Sequence, residues 1–396
     1  MYLSRLLLQD YRNYPQLDLD LSPGVTVFLG DNAQGKTNLL ESIYLLATTR
    51  SARSGSDLEL IRWGAMETET PAARVDGRAR RRQGEVQVTV AIGLARQAAT
   101  TNGSAGHANK RLQVNGVPRR ASEVVGQIAA VLFTAQDMDL LTGPPALRRR
   151  YLDVTISQVN PLYLRALQRY SRVLLQRNSL LRRIQEGSGR PDQLGFWDQE
   201  LTRAAAFIAT TRAEALIWLA ARAADFHTEL SGGAEKLAIA YQPQLPRGIA
   251  ADCLTLAPTD LQERLLEGLR AGQRREIDAG ASLYGPHRDD VSFSIDGAAV
   301  AAFGSRSQQR TAALSLRLAE MSYIEAESGD KPILLLDDIL SELDERRRHS
   351  VMDALEQTDQ ILITATEADR FSSAFLGSAH RYRVEAGCIS AERPVG

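Results

Sequence analysis

Gly30-Asp31-Asn32-Ala33-Gln34-Gly35-Lys36-Thr37 satisfies the pattern G-x-x-x-x-G-K-[ST] in full, and its flanks suit it. Val25-Thr26-Val27-Phe28-Leu29 before it is a short β-rich run of the fully buried kind. Leu39, Leu40, Ile43, Leu46 and Ala47 after it recur at helical spacing. Each part has a task. The glycines let the backbone curl so that its N–H groups form an anion nest at a helix N-terminus. Lys36 places an ammonium between the β- and γ-phosphates, and Thr37 offers a hydroxyl to Mg²⁺, which prefers oxygen ligands. The chain is therefore expected to bind a nucleoside triphosphate.

Ile333-Leu334-Leu335-Leu336-Asp337-Asp338 reads as an apolar strand ending in two carboxylates. Alone it is a plain strand end. In a parallel sheet, however, strand ends share one edge, so Asp337 arrives beside Thr37 and holds Mg²⁺. Asp338 then orients and deprotonates the attacking water, because phosphoryl transfer depends on positioning and charge stabilisation. Aspartate is one methylene shorter than glutamate, which predicts slow hydrolysis, below ~10 s⁻¹ in a single turnover.

Ser305-Arg306-Ser307-Gln308 opens a further helical segment, and Ser305-x-x-Gln308 is a capping box whatever else it does. Its functional reading is a helix N-terminus facing a γ-phosphate, with Ser305, Ser307 and Gln308 as contacts. Within one chain it lies too far from Lys36, so that phosphate belongs to a second subunit. Ser341-Glu342-Leu343-Asp344 follows Asp338 closely enough to serve the same interface.

The rest of the chain frames these motifs. Its 396 residues suggest two or three domains at roughly 150 residues each. Strand character fills about 72–117, with Asn115-Gly116 as a hairpin turn, Gly103–Asn109 as a mobile loop, and a buried strand over Ile128–Phe133. Good helix formers dominate from Pro161 to Ser231, broken at Gly187–Asp192, which reads as an antiparallel helical arm. Strand returns near Leu237–Tyr241 and helix near Asp260–Ala271. The finish is strand–helix alternation: Val291–Ile295, helix Gln308–Ala326, Ile333–Leu336, helix Glu345–Gln357 and Ile361–Thr364. One α/β domain built from both chain ends, with a helical insert, accounts for this order.

Composition excludes more than it proposes. The net charge of −1 points to neither nucleic acid nor membrane in bulk. The longest apolar run, Ala215–Ala221, falls far short of the ~18 residues of a membrane helix, and Leu6-Leu7-Leu8 is too short and too polar a start for a signal peptide. Cys253 and Cys388 make no metal spacing and no disulfide framework, so a reducing cytoplasm is expected. Lysine occurs only at positions 36, 110, 236 and 331, against 43 arginines, so a retained lysine is worth attention. Runs such as Arg80-Arg81-Arg82, with Arg78, and Arg148-Arg149-Arg150 are candidate phosphate contacts, although charge runs are more often solvated faces.

The order of phosphate loop, S-x-x-Q before a helix, LLLDD strand and SELD turn resembles an ABC-type ATPase head. Tyr11-Arg12-Asn13, Gly30 through Thr37 with Asn38, Arg148-Arg149-Arg150-Tyr151-Leu152-Asp153, Gln176-Arg177-Asn178 and Tyr284-Gly285-Pro286-His287-Arg288-Asp289-Asp290 further resemble the RecF family of SMC-like DNA repair proteins, from about residue 3 to 390. The resemblance implies an α/β head of the Rad50/SMC type over 1–134 and 281–396, with a mostly helical arm over 135–280. It implies an ATP-dependent homodimer with weak, DNA-stimulated ATPase activity and Mg²⁺ as cofactor. It also implies binding to single-strand gaps and single-/double-strand junctions, partnership with RecR, RecO and RecA, and a part in the SOS response. Carried over by residue, Arg12 and Asn13 lie near the nucleotide, and Gln136 senses Mg²⁺ and the γ-phosphate. Ser307 stands where the family usually has glycine, which costs on the order of 1 kcal/mol if the position needs a positive φ.

Two other readings make different demands. A transporter's soluble ATPase subunit needs a short spacer between loop and signature and a switch histidine, whereas Ser305 follows Thr37 by 268 positions and the second acidic strand is followed by Thr364-Ala365-Thr366-Glu367. A small-molecule P-loop kinase needs neither S-x-x-Q nor SELD. Another SMC-like ATPase is a further alternative.

Overall fold

The computed structural model describes residues 1–95, 107–339, 358–368 and 373–392, with Arg348, Val351 and Phe371 as single positions. In chain order come strands β1 (Tyr2–Tyr11), β2 (Tyr14–Asp20) and β3 (Gly24–Leu29), helix α1 (Lys36–Thr48), then β4 (Ala72–Arg81), β5 (Gly84–Ala95), β6 (His107–Val114), β7 (Val117–Pro118) and β8 (Ala130–Thr134). Helices α2 (Pro145–Val159), α3 (Pro161–Gln185) and α4 (Leu194–Ser231) follow, then β9 (Leu237–Gln242), α5 (Pro258–Ala279), β10 (Asp290–Ile295) and β11 (Ala298–Ala299). The chain ends with α6 (Arg306–Ser328), β12 (Ile333–Asp337), β13 (Gln360–Ala365), β14 (His380–Glu385) and β15 (Cys388–Ala391). By packing, it divides into Met1–Asp137 with Glu320–Gly396, and Met138–Ala319.

The first unit holds two six-stranded sheets. One runs β15-β14-β3-β13-β12-β8, parallel except for the β14–β15 hairpin. Its strands are the continuous apolar runs: every residue of β13 is buried, and Ile333–Leu336 are fully so. Such runs suit a sheet covered on both faces. The other sheet, β2-β1-β4-β5-β6-β7, is antiparallel and alternates, with Leu17 and Leu19 buried and Asp18 exposed. Helix α1 packs against strands of both sheets. Leu39, Leu40, Ile43 and Leu46 are wholly buried, worth roughly 6–12 kcal/mol together at about 1.5–3 kcal/mol each. Gly77 on β4 leaves the space that Leu46 fills.

The expected Asn115-Gly116 turn has both residues at positive φ, 50° and 75°, the geometry of a tight hairpin. Of the loop expected over Gly103–Asn109, only the last three residues are described, and they are strand. His107–Asn109 pairs along β5, and 103–106 lie outside the described residues. Of the helix expected at Glu345–Gln357, only Arg348 and Val351 are described, both helical.

In the second unit, α3 and α4 have 25 and 38 residues, about 37 and 57 Å at 1.5 Å per residue. Gly187 at φ 78° closes α3 by donating to the Ile184 carbonyl, while Ser188 N–H reaches Arg183. The expected Asp260–Ala271 helix is longer, Pro258–Ala279, and packs against both α3 and α4, so the arm has a third helix at this point. Arg177, fully buried on α3, joins all three. Its Nε donates to Asp198 Oδ1 on α4 at 2.7 Å, its Nη2 to Glu276 Oε2 on α5 at 2.6 Å, and its Nη1 to Ser282 Oγ at 2.7 Å. Within Pro191–Ser231, an 18-residue stretch of mean hydropathy 1.3 is 56% buried, as the core helix of a packed bundle is.

The Gly285–Asp290 turn is held by partners other than its own arginine. Asp289 accepts from Arg212, Tyr241 and the Gln244 N–H, and Asp290 takes Arg148 in two bonds of 2.6 and 3.0 Å. Arg288 is exposed. His287 Nδ1 lies 2.6 Å from the Tyr170 hydroxyl and Nε2 faces the Ser282 carbonyl. Burial drives its pKa down to about 4, with Arg288 and Arg149 adding to the effect, so the ring is neutral in the fold.

Candidate functional site

The site begins where β3 ends. Gly30 (φ 154°), Ala33 (φ 65°) and Gly35 (φ 114°) turn the backbone into a loop that delivers it to the first turn of α1 at Lys36. Lys36 Nζ folds back onto the carbonyls of Gly30 and Asp31, at 2.5 and 2.8 Å. Burial lowers its pKa, against the pull of Asp338, Asp337 and Asp31. Asp31, Asn32 and Ala33 are exposed at the crest of the loop.

Register sets the opposing edge. Thr364 on β13 pairs with Phe28 on one side and Asp337 on the other, and Asp337 in turn pairs with Thr134. The C-terminal ends of β3, β13, β12 and β8 are thus level. Thr37 Oγ1 donates to Asp337 Oδ1 at 2.9 Å, and Thr364 Oγ1 to the same oxygen at 2.8 Å. Asp338, at φ 53°, sends its N–H to Thr364 Oγ1 at 3.1 Å. Burial raises the Asp337 pKa, the hydrogen bonds from Thr364 and Thr37 and the charge of Arg53 oppose it, and Asp338 adds to it. Gln136 stands two residues past Thr134 in a short turn that Asp137 fixes by accepting the Thr134 N–H at 2.9 Å, and its side chain is exposed.

Arg12 and Asn13 occupy the β1–β2 turn. Asn13 Nδ2 donates to the Gln34 carbonyl at 3.0 Å, and Asn38 Nδ2 to Asn13 Oδ1 at 2.8 Å. Arg12 points elsewhere: it clasps buried Glu41 through two bonds of 3.0 and 2.9 Å, and reaches Ser54 Oγ and the Glu59 carbonyl. Burial alone would raise the Glu41 pKa, but the Arg12 and Ser51 bonds, with Arg53, hold it below the usual range. Arg53 Nη2 also donates to Asn38 Oδ1 at 2.7 Å.

Ser305, Ser307 and Gln308 belong to the second unit. Both halves of the capping box form: Gln308 N–H to Ser305 Oγ at 3.2 Å, and Ser305 N–H to Gln308 Oε1 at 2.9 Å. Ser305 and Ser307 are exposed. Ser305 spends its oxygen as acceptor and keeps its hydroxyl proton to give. Ser307 lies inside the first turn of α6 at negative φ, so the strain expected of a non-glycine residue there does not arise. Ser341–Asp344 lie outside the described residues.

Sequence reasoning noticed Thr364 only as a missing histidine, although it bridges both aspartates. Glu41, Ser51 and Arg53 carried no motif at all. The donors around Asp337 fit a magnesium ion: Thr37 Oγ1 and Asp337 Oδ1 are hard oxygens at one point of the sheet edge. Among the described residues no group of three or more His, Cys, Asp or Glu gathers to hold a metal.

Comparison with known proteins agrees with this geometry. A family model described as the RecF/RecN/SMC N-terminal domain matches residues 2–388. The DNA replication and repair protein RecF of Chloroflexus aurantiacus is 44% identical over 398 residues, covering 99% of this chain and 100% of that one. That of Roseiflexus castenholzii is 44% identical over 395 residues, covering 98% and 99%. A solved structure of the recombination mediator protein RecF-ATP in the RecFOR pathway matches with a TM-score of 0.84 at 31% identity, covering 99% of this chain and 98% of that one. An Smc head domain from Pyrococcus furiosus, with a TM-score of 0.51 at 15% identity, covering 99% and 96%, shares the fold alone. With its α/β head of the SMC and ABC-ATPase type and its match to full-length relatives, this chain belongs to the RecF family of DNA replication and repair proteins.

Proposed function

We propose that two copies of this chain pair around ATP as a DNA-repair clamp at single-strand gaps, and that slow, DNA-stimulated hydrolysis resets it. The observation that carries this reading is the meeting of Thr37 and Asp337 at 2.9 Å on the level sheet edge beside the phosphate loop. It is half of a site. The other half is the exposed, Ser305-capped start of α6, which we assign to the partner's nucleotide. In this division of labour 281–319 act with the head, 1–134 and 320–396, and 135–280 act as the arm.

The residues have distinct tasks. The loop amides and Lys36 bind the triphosphate; Gly30 through Asn38 form the cradle, with Asn13 bracing it from the β1–β2 turn and Arg12 tying that turn to α1 through Glu41. Thr37 and Asp337 would hold Mg²⁺, with Gln136 at the same edge; the ion would supply neutralisation of phosphate charge. Asp338 takes the proton of the attacking water, and its N–H bond to Thr364 fixes the carboxylate's backbone. The partner's helix N-terminus, through the hydroxyl of Ser305 with Ser307 and Gln308 beside it, stabilises charge on the γ-phosphate. DNA, RecR, RecO and RecA are the partners we assign, with the cytoplasm as setting and the SOS response as context. The spacing of Thr37 and Ser305 and the full-length RecF relatives weigh against a transporter subunit.

A mixing experiment tests the pairing. Lys36→Ala and Ser305→Arg should each abolish ATPase activity on gapped DNA. Mixed, they should recover about a quarter of the normal rate, the share of intact interfaces in a random two-fold dimer. Full activity of Ser305→Arg alone, or no recovery on mixing, contradicts the shared site.

A further inference from the structure

Two turns from opposite ends of the chain close on the back of the phosphate loop at Gln34. In the β14–β15 hairpin, Glu385 pairs with Cys388 across Ala386 (φ 47°) and Gly387 (φ 78°). Ala386 N–H donates to Gln34 Oε1 at 2.7 Å, and Gly387 N–H to the Gln34 carbonyl at 3.1 Å. From the other side Asn13 Nδ2 donates to that same carbonyl at 3.0 Å. The fit leaves no slack. A Cβ on Gly387 would stand 2.5 Å from the Asn13 carbonyl oxygen, one on Gly30 would strike the Val384 carbonyl of β14, and one on Gly35 would strike the Asn13 amide.

These contacts follow one logic. The Gln34 carbonyl is taken by Gly387 and Asn13, and that of Gly35 by the Tyr14 hydroxyl at 2.9 Å. A loop whose carbonyls are tied to donors on one side presents its N–H groups on the other, which is what an anion nest needs. We infer that the Ala386–Gly387 turn is a positioning element of the nucleotide site, and that Gln34 is a positioning residue whose side chain serves the turn and not the phosphates. The last hairpin of the chain thus sets the curvature of a loop more than 350 positions before it. The inference rests on the ATP-binding reading above.

The test uses the full-length protein and titration with a fluorescent ATP analogue, with thermal melting as the folding control. Gln34→Met removes the acceptor at constant length, whereas Gln34→Glu keeps an acceptor for Ala386 N–H. The clasp predicts that Met weakens ATP binding by up to about tenfold, the range of one lost hydrogen bond, and that Glu stays closer to the parent. If Gln34 instead donates to phosphate, Glu, with its added negative charge, binds worst, and the inference is overturned. Gly387→Ala, remote from any phosphate, should mimic Gln34→Met. Combining the two should cost no more than the worse single change, because both break one clasp. In Gly387→Ala, which lies outside the cradle, the loss should fall on the KM for ATP and not on turnover at saturating ATP, since it lies in ground-state binding. Unchanged affinity in both Gln34→Met and Gly387→Ala overturns the clasp; should Gly387→Ala melt early, the Gln34 pair decides. A parent protein that binds no ATP defeats the nucleotide reading itself, which is a separate result.

Discussion

Asp337 shows how function opposes stability at one residue. It is half-buried, accepts hydrogen bonds from two hydroxyls on one oxygen, and stands next to Asp338. Its pKa lies above the ordinary carboxylate value, so the fold holds the proton more readily than the unfolded chain does. Its contribution to stability is therefore greatest below the unfolded pKa and drains away as pH rises through the folded one. Once ionised the group is a cost, which a cation bound to it offsets. Asp337→Asn keeps an acceptor for both threonines and should raise the stability of the nucleotide-free protein by about 1 kcal/mol, or ~2 °C of melting temperature, while abolishing Mg²⁺-dependent hydrolysis. A lower melting temperature would show that the charge is already compensated. The lysines make a similar point. Lys36 is retained for the loop, but Lys110 is retained for architecture. It reaches the Thr49 carbonyl at the C-terminal cap of α1, at 2.8 Å, and Asp57 at 2.6 Å, where a cation complements the helix dipole.

At the scale of elements, legibility followed burial. The strand before the loop, β12 and β13 stood out because both faces of that sheet are covered and their residues must be apolar. α1 stood out because its apolar spacing is unbroken. Charge was harder to read. Arg148 holds Asp290 and Arg149 donates to the Asp289 carbonyl, so these two candidate phosphate contacts are spent inside the fold, whereas Arg78 and Arg80 flank Glu85 on the exposed surface. The better candidate escaped notice because it is a matter of what is missing. α3 carries Arg165, Arg169, Arg172, Arg177, Arg182 and Arg183 with no Asp or Glu in its sequence. Arg165, Arg172 and Arg183 are exposed and make no ion pair among the described residues. Replacing those three by alanine should weaken duplex binding about tenfold or more and flatten its salt dependence, by a slope of roughly 0.9 per lost phosphate contact. An unchanged salt slope removes α3 from the DNA path. Arg177, by contrast, is structural. Arg177→Ala leaves Asp198 and Glu276 buried without their shared cation, and should cost about 3–5 kcal/mol in chemical denaturation. A loss under ~1 kcal/mol would mean that the three helices hold without it.

For the whole molecule, the nucleotide chemistry is split by sequence distance. The cradle, Thr37, Asp337 and Asp338 belong to the unit built from both chain ends, and the Ser305 cap to the unit between them. A family-typical order of motifs pointed to both of the proposed halves, but only the strand register revealed how Thr364 levels one half, and no motif pointed to the terminal hairpin behind the loop. The claim on which the rest depends is pairing around ATP. Sedimentation velocity on the full-length chain with a saturating non-hydrolysable ATP analogue and Mg²⁺ measures it directly. The account predicts a shift from monomer to dimer in the parent and none in Ser305→Arg, which should still bind the analogue. A parent protein that binds the analogue and sediments as a monomer throughout would contradict it.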